Sequence, residues 1–302
     1  MKRLLKVLGI LVSLVGAVWL AIFLWPVKER PERAFYRSDD PDVLVIAHRG
    51  GKGLAPEGTM AAFDNAASLE VDVFEYDTHM TSDGHLVVIH DDTVDRTTNG
   101  SGKVNEMSLE DVQLLDAGYN FVDDAGEYSS RDKGVYIPTV EEMFQKYPNM
   151  RHLIELKDTN APELYDDVIE ELWRLIQEYN MEDNVMVGSF THSINERFEE
   201  VSWGEIPIGA GEDAVRDFAT KHVAYLNGLA SSSVDSLQLP TESDGYDLTT
   251  NNLIQSAKAR GMSVYYWTIN DKETMRELVE KNVDGIMTDY PNLLIEVLEE
   301  ME

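Results

Sequence analysis

The chain has 302 residues, 43% of them hydrophobic, and 56 acidic side chains face 25 basic ones for a formal charge of −31. That imbalance excludes nucleic acid as a partner, because backbone phosphates need a positive patch. The absence of cysteine excludes disulfides, thiolate metal sites and a cysteine nucleophile.

Lys2, Arg3 and Lys6 precede an uncharged run over residues 7–27, with Trp19 and Trp25 towards its far end. At 1.5 Å per residue the run is long enough to cross a hydrocarbon core of about 30 Å. No small-x-small cleavage site precedes Pro26, so residues 1–27 are read as a basic head and an uncleaved transmembrane signal anchor. The head predicts an inside N-terminus and an extracytoplasmic domain at the cell membrane. Lys28, Arg30, Arg33 and Arg37 on the far side blunt that charge bias. Residues 28–42, rich in proline and charge, predict a linker to a domain over residues 43–302.

From residue 43 apolar strands alternate with helices. Residues 43–47 predict a strand, Thr59 caps a helix through Leu69, and residues 71–77 predict a second strand. Turn chemistry at 81–84 sends the chain back as a strand over 85–90. Ser108 with Asp111, and Thr139 with Glu142, have capping-box spacing. Further strands are expected at 152–155, 184–189, 206–210, 236–239, 262–268 and 285–287, each followed by a helical pattern. About eight βα units over roughly 260 residues predict an α/β fold, the (β/α)8 TIM barrel. A doubly wound open sheet is the runner-up, weakened because no Gly-x-Gly-x-x-Gly follows the first strand. Residues 91–137 break the alternation and are read as an insertion after the second strand. It lies over the rim, either shaping access or merely running over the surface.

The first strand delivers His48 and Arg49, the second Glu75 and Asp77, and the return strand His90. Side chains alternate with period two, so Val73, Glu75 and Asp77 share one face. Glu155 and Lys157 end the strand at 152–155. Three carboxylates at neighbouring strand ends repel one another unless a cation lies among them. Rim salt bridges would explain any one of them, but the cluster with two histidines favours a metal. Oxygen-only ligation suits one divalent cation, Mg²⁺ or Ca²⁺. His48 and His90 form a candidate acid–base pair, while His79, His85, His152, His192 and His222 are read as structural. Arg49 and Lys157 suit a phosphoryl group. Trp267 is either a rim wall for substrate or barrel packing. Residues 50–53 lack P-loop spacing, and neither a Gly-x-Ser-x-Gly elbow nor His-Glu-x-x-His occurs.

These residues fall within a series of motifs: Ala47-His48-Arg49-Gly50; Ala55-Pro-Glu57-Gly-Thr59; Glu75-x-Asp77-x-x-x-Thr81-x-Asp83-Gly84; His90-Asp91 with Arg96-Thr97; Glu155-Leu-Lys157; Trp267-Thr-x-Asn270; and Asp284-Gly-x-x-Thr288-Asp289-x-Pro291. In their order and spacing the chain resembles the glycerophosphodiester phosphodiesterase family over nearly all of residues 43–291. The resemblance implies a TIM barrel with an insertion after the second strand. It implies His48 and His90 as acid and base, Glu75, Asp77 and Glu155 as divalent-metal ligands, and Arg49 and Lys157 as phosphate contacts. Glu57 and Trp267 complete the expected substrate-binding set. Gly58 stands where the family motif usually has Asn. The implied reaction is hydrolysis of a glycerophosphodiester to glycerol 3-phosphate and an alcohol. Two alternatives accompany it: a lysophospholipase D acting on membrane lysophospholipids, and a non-catalytic phosphodiester-binding barrel. The latter predicts a missing histidine or ligand, and none is missing.

Overall fold

The computed structural model describes residues 2–23, 29–224, 226–230 and 233–301. An apolar helix, α1 (Lys2–Phe23), comes first. The alternation then runs β1 (Leu44–Ala47), α2 (Met60–Ser68), β2 (Val73–Met80), β3 (Leu86–Val88), α3 (Leu109–Gln113), α4 (Val140–Lys146), β4 (Arg151–Leu156), α5 (Tyr165–Tyr179), β5 (Val185–Gly188), α6 (His192–Val201) and α7 (Glu212–Val223). It continues through β6 (Ser236–Leu239), a hairpin of β7 (Glu242–Ser243) and β8 (Tyr246–Asp247), α8 (Asn251–Lys258), β9 (Ser263–Tyr266), α9 (Lys272–Glu280), β10 (Gly285–Thr288) and α10 (Pro291–Met301).

The parallel strands neighbour one another in the order β5-β4-β2-β1-β10-β9-β6, with β3 antiparallel on β2. Residues 207–210 join the two ends of this row. The Val187 N–H donates to the Pro207 carbonyl, and the Ala210 N–H to the Ser236 carbonyl. The sheet therefore closes as a barrel, and the open doubly wound alternative falls. The strand expected at 206–210 is reduced to two single bridges, Val187 to Ile208 and Gly209 to Ser236. Pro207 has no N–H to give to a ladder, which limits pairing here.

Alternation along each strand sorts the core. Leu44, Ile46, Val73, Leu153, Met186, Tyr265 and Met287 fill the barrel interior, while Val45, Phe74, Tyr76 and Ile154 pack outward under the helices. By the same parity Glu75 and Asp77 follow Val73 inward, and Glu155 follows Leu153. The parallel register places Asp77 opposite Glu155. Sequence periodicity thus fixes which carboxylates meet at the C-terminal rim.

The stretch expected as a linker at 28–42 is instead bound to the barrel over its described part. Phe35 enters the interior cluster and is 1% exposed. Arg30 and Arg33 both pair with Asp235, at 2.7 and 2.9 Å. The Arg30 N–H donates to the Arg260 carbonyl, and Arg151 reaches Asp40 at 2.7 Å. Asp235 and Arg260 lie just before β6 and β9, so the segment plugs the N-terminal end of the barrel. The physical reason is the Asp235 carboxylate, which is almost fully buried and, among the described residues, finds its cations in this segment. Trp25 and Lys28, used above to read the end of the anchor, lie outside the described residues. Within α1, Arg3–Ile22 has a mean hydropathy of 2.3 and no buried residue, long and apolar enough to cross a membrane.

The insertion builds a small core of its own, in which Val94, Val104, Val112, Ala117 and Ile137 pack on Val87 and Ile89. Both expected capping boxes form, at Ser108–Asp111 and Thr139–Glu142.

Replacing Asp235 by Ala leaves two mostly buried guanidinium groups facing each other without their acid. The expected loss is about 3–5 kcal/mol, read by chemical denaturation. Removing the surface Lys272 partner of Glu296 should cost far less, because solvent screens that pair. Equal losses would show that the segment is not pinned through Asp235.

Candidate active site

β1 ends in a tight turn, His48–Gly50, in which Arg49 takes left-handed backbone angles (φ 51°, ψ 35°). Gly50 follows at φ 80°, and a Cβ there would lie 2.9 Å from the Ala62 Cβ, so only glycine fits. The turn aims the Arg49 N–H at Glu75 Oε2, 2.9 Å away. The Arg49 guanidinium donates to Glu57 at 3.0 Å and lies 3.3 Å from Asp77 Oδ2. Gly58 has φ 65°. Asparagine is the other residue that takes that region readily, so the exchange keeps the turn and loses only a side chain.

Glu75, Asp77 and Glu155 each offer an oxygen within 4.8 Å of the others. Glu75 and Asp77 are both 3% exposed. Burial, and then repulsion from Asp77, raise the Glu75 carboxyl well above the carboxylate range and push Glu155 up to about 8. Lys157 offsets part of this, standing 2.9 Å from Glu155 Oε1 and 3.5 Å from Asp77 Oδ1. Asp77 Oδ2 and Glu155 Oε1 are buried and meet Arg49 and Lys157 as ion pairs without hydrogen-bond alignment. Three acids with oxygens so close together, against only two cations, form a donor set that fits a hard divalent cation.

Each candidate catalytic histidine is tied through Nδ1 to its own carboxylate. His48 meets Asp289 Oδ1 and His90 meets Asp91 Oδ1, both at 2.6 Å. The first acid is in turn held by Asn270, which donates to Asp289 Oδ2 at 2.9 Å. The second is held by Arg96, whose Nε donates to Asp91 Oδ2 at 2.6 Å. An acceptor at Nδ1 fixes the proton there and leaves Nε2 for proton traffic. Burial lowers both imidazole pKa values, and the aspartates counter it. Lys157 Nζ lies 3.3 Å from His90 Nε2, which links that histidine to the carboxylate cluster.

A cavity of about 250 Å³ opens beside Glu155 and is walled by Phe190 and Trp267, whose rings meet edge-on at 5.6 Å. Trp267 thus lines this cavity and also packs on the barrel's interior cluster. Of the histidines read as structural, His79 bonds the Ile89 carbonyl and Thr159, while His152 bonds Tyr76 and the Tyr147 carbonyl. His222 stacks on Phe218.

The model of the glycerophosphoryl diester phosphodiesterase family matches residues 48–293. The chain belongs to that family. A glycerophosphodiester phosphodiesterase of Caldanaerobacter subterraneus is 35% identical over 261 residues, spanning 84% of this chain and 97% of the relative. A human lysophospholipase D of the family is 26% identical, over 84% of this chain and 85% of its own. Among solved structures, an Oleispira antarctica phosphodiesterase in complex with the product sn-glycerol-3-phosphate has a TM-score of 0.70 at 25% identity. That match covers 89% of this chain and all of the other.

Asp91, Arg96, Asn270 and Asp289 belong to family motifs, yet sequence reasoning gave them no part. Asp91 follows His90 directly, a signal for a partner, whereas the His48–Asp289 pair spans 241 positions and needs the barrel to close. Phe190 carried no signal beyond being an apolar residue at a strand end.

Burial opposes ionisation of Glu57, but the Arg96 fork and Arg49 outweigh it and hold the carboxyl at about 2. A lowered folded-state value means stability present above the unfolded value of 4.5 and lost as pH falls through about 2. Glu57→Gln should therefore flatten the acid limb of stability between those pH values and leave its slope near neutrality unchanged. An unaltered acid limb in thermal melts would refute the pairing.

Proposed function

We propose that the chain is a metal-dependent phosphoric diester hydrolase that converts glycerophosphodiesters to glycerol 3-phosphate and an alcohol. One observation carries the reading: two histidine–aspartate pairs flank a buried three-carboxylate cluster that Arg49 and Lys157 neutralise only in part. The family relatives named above support the substrate class.

Glu75, Asp77 and Glu155 would hold one divalent cation, Mg²⁺ or Ca²⁺. When bound, it supplies Lewis-acid polarisation of a phosphoryl oxygen. Arg49 and Lys157 bind the phosphoryl group and offset the charge that grows on it. Glu57 holds the Arg49 guanidinium in place while Arg96 grips Glu57 from the other side. One histidine takes the proton of the attacking oxygen, either water or the substrate's own glycerol hydroxyl, and the other protonates the leaving alkoxide. The histidine acting as base starts neutral, with Nε2 free to accept, and the one acting as acid starts protonated at Nε2. Asp289 and Asp91 then stabilise the imidazolium that forms. Phe190 and Trp267 exclude water from one side. No member of the set is missing, which counts against a non-catalytic barrel.

His48→Ala and His90→Ala should each lower kcat by about 10²–10⁴-fold on glycerophosphocholine. Chelation should abolish turnover, and added Mg²⁺ or Ca²⁺ should restore it. Turnover that survives either histidine change or chelation would overturn this mechanism.

α1 serves as the retained membrane anchor and places the barrel outside the cytoplasm, a reading supported by its length, hydropathy and basic head. Protease treatment of intact cells should then remove the domain. A domain protected until lysis would reverse the orientation.

A further inference from the structure

The helices of this barrel run down from the catalytic rim, so the loops that follow them lie at the N-terminal end, beside the plug. Three large apolar side chains stand bare there, at the feet of the neighbouring helices α6 and α7. Trp203, just after α6, is 85% exposed. Val223, at the foot of α7, is 57% exposed, and Leu229, in the turn Asn227–Leu229, is 53% exposed. Trp203 also takes left-handed backbone angles (φ 55°), a costly conformation for a bulky residue. Folding in water gives no return for holding a tryptophan in that state and in the open, and such a group of apolar side chains marks a contact surface. The plug segment runs beside it. Arg33 donates to the Gly204 carbonyl, next to Trp203, and Arg30 pairs with Glu199 of α6 at 3.0 Å. α1 itself approaches the turn Asn227–Leu229.

The tether decides what covers this face. α1 ends at Phe23, and Arg30 is already fixed to the barrel, its N–H on the Arg260 carbonyl. The chain between those two residues, drawn out fully, reaches about 25 Å. α5, whose 15 residues run from rim to foot, is about 22 Å long. To set the rim on the bilayer, the tether would spend nearly its whole reach passing the length of the barrel, before it covered any of the barrel's width or cleared the rim loops. Setting down the N-terminal end needs none of that. The chemistry of the face fits lipid. Tryptophan favours the level where hydrocarbon meets water. Charge does not supply the contact, because the nearby cations Arg30 and Arg33 are taken up by Asp235.

We propose that the N-terminal end of the barrel rests on the bilayer, with Trp203, Val223 and Leu229 at the lipid interface and the catalytic rim turned away from it. The inference rests on the reading of α1 as a retained anchor and adds to it a second, apolar point of contact. The plug then works as a rigid joint. Asp235 holds Arg30 and Arg33, and these fix the angle at which the barrel stands on its anchor. The site opens towards water, and takes its diesters from solution and not from the bilayer that holds its own anchor.

The test uses the full chain in phosphatidylcholine nanodiscs that carry a quencher on the lipid head groups. The chain has no cysteine, so a single introduced one takes a fluorophore without ambiguity. Leu229→Cys labels the N-terminal end, and Asp244→Cys labels the turn of the β7–β8 hairpin, beyond the end of β6 at the rim. Both positions are on the surface, so both labelled chains should melt close to the unaltered one. Quenching is expected to be several times stronger at 229 than at 244, and to persist at high salt because the contact is apolar. Trp203→Asp, added to the Leu229→Cys chain, should remove much of the signal at 229. Equal quenching at the two positions, stronger quenching at 244, a difference abolished by salt, or a signal at 229 that ignores Trp203→Asp overturns the proposal. A chain that does not stay with the discs overturns the anchor reading itself, and the orientation with it.

Discussion

Three carboxylates buried at one end of a closed barrel form the constraint on which the rest of the site depends. Left alone, Glu75, Asp77 and Glu155 would repel each other in a poorly solvated place, and burial already drives two of them towards protonation. Lys157 and Arg49 are drawn in by that field. Arg49 is so placed only because the turn after β1 accepts left-handed angles and Gly50 lets α2 approach. Burial alone would lower the Lys157 pKa, yet Glu155 and Asp77 hold it up, so its ammonium stays charged. Three carboxylate oxygens against two cations make the place suited to a hard cation. The protein's overall acidity is then no obstacle to an anionic substrate, since the attraction is local and the repulsion is screened over a Debye length.

Much of this site could be read from the chain because strand parity is simple. Val73, Glu75 and Asp77 share a face by period two, and Glu155 follows Leu153 in the same way. Capping boxes at Ser108 and Thr139 are local and were equally readable. What sequence reasoning missed depends on long-range closure. Asp289 meets His48, and Asp235 meets Arg30 and Arg33, only after the barrel has brought distant segments together. Residues 28–42 looked like a linker because their prolines and charges are typical of one. Their packing is decided by an acid about two hundred positions away. The strand at 206–210 failed for a local reason that its apolar pattern concealed, a proline that cannot donate to the ladder.

The two histidines show how one arrangement can be built twice from different materials. His48 is almost buried, and its aspartate is held by Asn270 from a neighbouring strand end. His90 is half-buried, and its aspartate is held by Arg96, which belongs to the insertion. The insertion thus reaches the chemistry through Arg96, which grips Asp91 and Glu57 together. Through that one side chain the insertion is tied to the His90–Asp91 pair.

The plug at the N-terminal end also dictates an order of assembly. Arg30 and Arg33 leave the ribosome long before Asp235 and Arg260 exist to receive them. Until β6 and β9 are made, these two guanidinium groups have no buried acid to satisfy, and Phe35 has no barrel interior to enter. The first segment of the domain to be synthesised is thus among the last to lock. Its docking signals that the barrel has closed, and a chain cut short before residue 235 would leave its own beginning unfastened.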